Sequence, residues 1–118
     1  MVKKVKVLLV DDELPSLSKM YIDLLLKNYE VEATHEAREV IPRIRRFCPD
    51  VVIIPSALHG LDPHDLCSMA KEQGLSFILM VNEASETPCA IGNCTAAGML
   101  QRPVDLCRLE EMIGGVLV

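Results

Sequence analysis

The sequence offers nothing with which to cross a membrane. Its apolar runs, such as "VKVLLV" and "FILMV", stop within a few residues, far short of the roughly 20 that a spanning helix needs. The start, "MVKKVKVLLVDDE", reaches acid before a signal-peptide core is complete, so a cytoplasmic location is expected. A basic excess is also missing. Lys and Arg number 12 against 17 Asp and Glu, a net charge of −5, so non-specific attraction to nucleic acid or an anionic membrane is not expected. The five cysteines, at 48, 67, 89, 94 and 107, include no C-x-x-C pair, and their odd number and scattered spacing do not describe a disulfide framework. Cys89 and Cys94 are the one candidate redox pair. The reading preferred for all five is that of small buried hydrophobes, free as thiols and holding no metal. His35, His59 and His64 do not repeat at a metal-site interval. Linkers, repeats and low-complexity stretches are absent as well.

What is present fits one compact domain spanning residues 1–118, half of it hydrophobic and a quarter charged. Short continuous apolar runs alternate with helically spaced stretches. Val5 to Val10 reads as a buried strand. Leu14 to Lys27 carries Leu17, Met20, Tyr21, Leu24 and Leu25 at helical spacing, with Pro15 in the first turn, where a missing N–H costs nothing. "YEVEATHEA" reads as a strand and Arg38 to Phe47 as a helix in which Pro42 marks the first turn or a kink. The arginines 43, 45 and 46 are read as a solvated face of that helix. Val51 to Ile54 is apolar without alternation, as expected of a strand covered on both faces. Asp62 caps and Pro63 opens a helix that Gly74 ends. "SFILMV" is a fourth strand, "TPCAIGNC" a poor helix, "GML" a fifth strand, and Asp105 caps a last helix.

Strands separated by helix-length connections predict an α/β fold, a doubly wound five-stranded parallel sheet with helices on both faces. In such sheets function collects at the carboxyl ends of the strands. The sequence places Asp11, Asp12, Pro55, Ser56, Val81, Asn82, Gln101 and Arg102 there.

Three segments, "VLLVDDE", "PDVVIIPSALHGLDP" and "GMLQRPVD", stand in order and at fitting separations along the whole chain. Together they resemble the receiver domain of two-component response regulators, a (βα)₅ flavodoxin-like fold. The resemblance implies a pocket in which an acidic pair and an acceptor aspartate hold Mg²⁺, a Thr or Ser bonds the phosphoryl oxygens, and a lysine neutralises them. Asp11 and Asp12 keep the acidic pair. Pro55 stands at the acceptor aspartate, Val81 at the hydroxyl residue, Arg102 at the lysine, and Met99 at the aromatic that swings on activation. The resemblance also implies a cis Arg102–Pro103 bond.

Each departure has chemical content. Proline carries no nucleophile, valine no hydroxyl, and arginine presents a planar fork in place of a point charge. Without an acid at 55, Mg²⁺ binding is expected to be weak or lost, and no other cofactor is expected. Ser56 should point away from the acidic pair, because side chains alternate along a strand. His59 and His64 are read as solvent-exposed, and the Asp-x-His-x-x-Gly pattern of cobalamin-binding domains is absent. With the metal lost, Arg102 is the cation available to the carboxylates. The expectation is therefore a non-enzymatic pseudo-receiver, a protein-interaction or dimerisation module whose partner is a histidine kinase, a fused output domain or a second copy. The resemblance puts its contact face on the fourth helix, fifth strand and fifth helix, including Met99, Leu106 and Arg108. Two other readings stay open: a phosphoacceptor using a displaced residue, and a small-molecule or redox sensor using the vacated pocket or the cysteines.

Overall fold

The computed structural model describes residues 4–55, 60–81, 90–91, 94–102 and 104–117. Five parallel strands form one sheet: β1 (Lys6–Val10), β2 (Glu30–Thr34), β3 (Val51–Pro55), β4 (Ser76–Val81) and, after two short strands described below, β7 (Gly98–Gln101). Their spatial order is β2-β1-β3-β4-β7. The order reverses direction at β1, which lies between β2 and β3, so the carboxyl ends of β1 and β3 flank the switch point of the sheet.

The central strands are apolar throughout because both faces are covered. Val7 and Leu9 of β1, Val51 and Ile53 of β3, and Ile78 and Met80 of β4 point to one face. They pack there against Leu17, Met20 and Leu24 of helix α1 (Leu14–Leu26) and against Leu109 and Ile113 of helix α4 (Leu106–Leu117). The intervening residues Leu8, Val10, Val52, Ile54, Phe77 and Leu79 point to the other face. Helix α2 (Val40–Phe47) covers that face with Val40, Ile44 and Phe47, and helix α3 (Pro63–Gln73) with Leu66 and Met69. The two-residue period of a strand thus divides one apolar run into two cores.

Local signals set the helix ends. Asp62 accepts a hydrogen bond from the His64 N–H at 2.9 Å, Pro63 follows it, and Gly74 closes α3 at φ +67°, where a Cβ would be strained. Pro42 falls in the first turn of α2, after a 3₁₀ turn at Ala37–Glu39, so it removes no helical hydrogen bond.

The fourth crossover departs from expectation. Where the sequence reading has a weak helix over "TPCAIGNC", β5 (Ala90–Ile91) and β6 (Cys94–Thr95) pair antiparallel. Pro88 and Gly92 weaken a helix here, and Gly-Asn, the pair lying between the two strands in sequence, is a hairpin dipeptide. The sheet is therefore doubly wound as expected, but the described residues carry four helices. The cysteine expectation also needs correcting. Cys48 and Cys107 are free and exposed, whereas the buried Cys67 is disulfide-bonded. Spacing in sequence could not reveal that contact. Among the described residues, no helix is long and apolar enough to cross a membrane.

Ile53 is fully buried between β1 and β4. Ile53→Ala is expected to lower unfolding free energy by about 3 kcal/mol through lost burial and the cavity left behind. Urea denaturation measures this, and a loss under about 1 kcal/mol would mean the central layer repacks freely.

Candidate functional site

The carboxyl edge of the sheet gathers the residues singled out by the sequence. Asp11 follows β1, Pro55 ends β3, Val81 ends β4, and Arg102 follows β7. Backbone hydrogen bonds fix the outer two positions. The Asp11 N–H donates to the Thr34 carbonyl at 3.2 Å, and the Arg102 N–H to the Val81 carbonyl at 2.9 Å. Each bond carries strand pairing one step past the end of its strand.

The side chains then meet across the pocket. Asp11 has no solvent exposure, and such a carboxylate requires a counter-charge and hydrogen bonds. Arg102 supplies both as a two-pronged fork: Nη1 donates to Oδ2 and Nη2 to Oδ1, each at 3.0 Å. Asp11 Oδ1 also accepts the Glu13 N–H at 3.0 Å. Arg102 Nη1 reaches further, to Glu13 Oε2 at 2.9 Å. Burial alone would lower the Arg102 pKa, but its hydrogen bonds to Asp11 and the charges of Asp11, Glu13 and Asp12 outweigh that and raise it. The guanidinium is thus held charged by the carboxylates it joins.

Asp12 is exposed, and its influence on Arg102 is through charge. The second carboxylate bonded to the arginine is that of Glu13, a residue the sequence reading passed over. Its signal was present: an acid directly after the acidic pair, at the start of a helix. Pro55 is half-buried opposite Met80. Val81 is buried opposite Gln101. Neither side chain brings a polar atom to the pocket. Ser56, His59, Asn82 and Pro103, and with Pro103 the expected cis bond, lie outside the described residues.

Among the described residues, the Asp11 carboxylate is already engaged by Arg102 and is not free for Mg²⁺. A hard dication needs several oxygen ligands, and here both Asp11 oxygens face the guanidinium. Among the described residues, no three His, Cys, Asp or Glu side chains gather where they could hold a metal ion. Chemically, the arrangement neutralises a buried carboxylate from within the chain.

The residues inferred for partner contact lie on the edge strand β7 and on α4. Met99 packs with the core layer of α2 and α3, whereas Leu106 packs with that of α1 and α4. Arg108 is exposed. Leu106 also lines a cleft of about 500 Å³ between α1 and α4, rimmed by Glu13, Lys19 and Arg102.

No family model matches the chain. Solved structures do. A CheY-like response regulator receiver domain protein from Methanospirillum hungatei JF-1 superposes with a TM-score of 0.83 at 24% identity, covering 98% of this chain and 94% of that one. The signal receiver domain of a modulated diguanylate cyclase from Desulfovibrio desulfuricans G20, described as an example of alternate folding, gives 0.83 at 20% identity over 98% and 94%. Vibrio cholerae chemotaxis protein CheY4 gives 0.81 at 22% identity over 97% and 99%. At these identities the likeness establishes a shared fold, that of receiver domains.

Arg102→Met would leave the Asp11 charge buried without a partner and is expected to cost about 3 kcal/mol. Asp11→Asn in the same background should recover much of that loss, because the isolated charge is gone. Glu13→Gln should cost less than about 1 kcal/mol, since its side chain is 63% exposed. Chemical denaturation measures all three, and with Asp11→Asn alone added to complete the 11/102 double-mutant cycle, additive losses would mean the fork contributes no coupling.

Proposed function

We propose that this is a receiver-like signalling domain of two-component type whose pocket has exchanged a metal and phosphoryl group for an internal ion pair. It acts, on this reading, as a phosphorylation-independent, non-enzymatic protein-interaction module in the cytoplasm. Its partner class is a histidine kinase, a fused output domain or another copy of itself. The observation that carries the reading is the Arg102 fork on Asp11, with both contacts at 3.0 Å. Pro55 and Val81 support it, because aspartyl phosphate needs a carboxylate and a nearby donor that neither supplies.

The test is to restore what the pocket lacks. Wild type incubated with acetyl phosphate and Mg²⁺ is expected to keep its intact mass and its melting temperature. Pro55→Asp alone should still bind Mg²⁺ poorly, because Arg102 occupies the Asp11 oxygens. Pro55→Asp combined with Arg102→Lys should bind it. With metal at about ten times the dissociation constant, mass action then contributes roughly 1.4 kcal/mol of stability. A phosphoryl-sized mass gain on wild type, mapped to any residue, would replace this reading with that of a displaced acceptor.

The Cys67 disulfide favours a second reading, a thiol–disulfide sensor. Alkylation before reduction should then label fewer thiols than alkylation after it. This reading further requires that reduction change amide-exchange protection in α3, which carries Cys67. Unaltered exchange would remove it.

A further inference from the structure

The four large hydrophobic residues most exposed among those described are Leu14, Ile22, Leu25 and Leu26, at 54%, 55%, 44% and 79%. All four lie on α1, whose other side is already fixed in the core by Leu17, Met20 and Leu24. Pro15, Ser18, Ile22 and Leu25, all exposed, follow one another at steps of three, four and three. That spacing draws a narrow seam suited to a second helix. Beside the seam, α1 and the edge strand β2 enclose a groove of about 520 Å³ lined by Ser18, Tyr21, Ile22, Val31 and Ala33.

We propose that α1 is a self-association surface on which a second copy of this chain packs its own α1 antiparallel. The proposal rests on the reading of the domain as a protein-interaction module, but the pocket chemistry does not enter it. The seam is self-complementary in one register. Antiparallel alignment centred on Met20 sets Leu14 against Leu26 of the second copy, Pro15 against Leu25, and Ser18 against Ile22. Each large residue then meets either another apolar residue or the small Ser18 at the rim of the groove. A two-fold axis repeats every such contact.

Charge selects the direction. Asp12 and Glu13 precede α1, and Lys27 follows it. Antiparallel packing brings Lys27 toward the exposed Asp12 at the start of the other copy's α1 and opposes the two helix dipoles. Parallel packing would place lysine on lysine and acid on acid. The helix runs 13 residues, about 20 Å. A contact of that length is small among specific interfaces, so the expected dissociation constant is on the order of 10–100 µM.

Sedimentation equilibrium of the full chain, from about 10 to 500 µM, should show a monomer–dimer equilibrium. Ile22→Glu introduces its charge twice in the dimer and should weaken association at least about tenfold. Its melting temperature should stay that of the wild-type monomer, because Ile22 is exposed. Register is read by cross-linking in a Cys48→Ser, Cys107→Ser background in which whichever of Cys89 and Cys94 is not bonded to Cys67 is also changed to Ser. A mixture of the Ser18→Cys and Ile22→Cys variants should form a disulfide-linked heterodimer faster than either variant links to itself. A wild-type chain that stays monomeric over this range overturns the proposal, as does a dimer indifferent to Ile22→Glu. Faster linkage of each variant to itself would overturn the antiparallel register. None of these results bears on the metal response of the Pro55 and Arg102 variants, so the two readings fail separately.

Discussion

A carboxylate with no access to water has to be answered by a positive charge, and at Asp11 the answer comes from the chain itself. Asp11 lies at the end of β1 and Arg102 at the end of β7, with β3 and β4 between them in the sheet. The ion pair therefore spans the mouths of both central strands. This is possible because the residues ending those strands are Pro55 and Val81, compact and without polar side-chain atoms. An acid at 55 would add a second claim on the guanidinium, and a hydroxyl at 81 would need a partner of its own. The three departures from the receiver pattern thus make one consistent arrangement. Arginine suits the task better than lysine, since its fork satisfies both Asp11 oxygens at once and a second contact of Nη1 reaches Glu13.

Much of the fold was legible because parallel sheets leave a strong mark. Strands covered on both faces need continuous apolar runs, and "VLLV", "VVII" and "FILMV" are such runs. Helices between them are marked by an apolar stripe and by terminal chemistry, as with Asp62, Pro63 and Gly74 around α3. The fourth crossover was harder, since two-residue strands leave almost no periodicity to read. Its Pro88 and Gly92 argued against a helix without saying what would replace it. At the site, Asp11 and Arg102 were identified by the resemblance, and their pairing by the need for a cation. Glu13 was missed because it is a helix-start acid, a role that already accounts for it locally. Cys67 was misread because a disulfide depends on which residues approach in space, and sequence spacing does not contain that information.

Exposed apolar residues on α1 pose a different question from buried ones. Burial explains Leu17, Met20 and Leu24 fully, and nothing in the fold requires Ile22 or Leu26 to be large and apolar. Single exposed leucines are ordinary. A helix that exposes Leu14, Ile22, Leu25 and Leu26 costs solubility without adding to the core. Such a surface makes sense when something covers it for part of the time.

The sealed pocket and the apolar helix bear on one another through the thermodynamics of switching. A ligand shifts a conformational equilibrium only as far as its affinities for the two states differ. In a pocket whose buried carboxylate is already bonded on both oxygens by an internal guanidinium, an incoming cation or phosphoryl group must first break that pair. The cost of leaving buried charges unpaired, several kcal/mol, opposes such a ligand in either state. On the proposed reading, regulation at this end of the sheet is weak, and what remains adjustable lies elsewhere. Association on α1 answers to protein concentration, because the population of a dimer follows mass action. The bond at Cys67 answers to redox poise, since a disulfide forms or opens according to its own potential against that of its surroundings. Neither needs a phosphoryl group. On the proposed readings, a receiver fold that keeps its sheet and fills its pocket carries a signal set by how much of the chain is present or how oxidised it is.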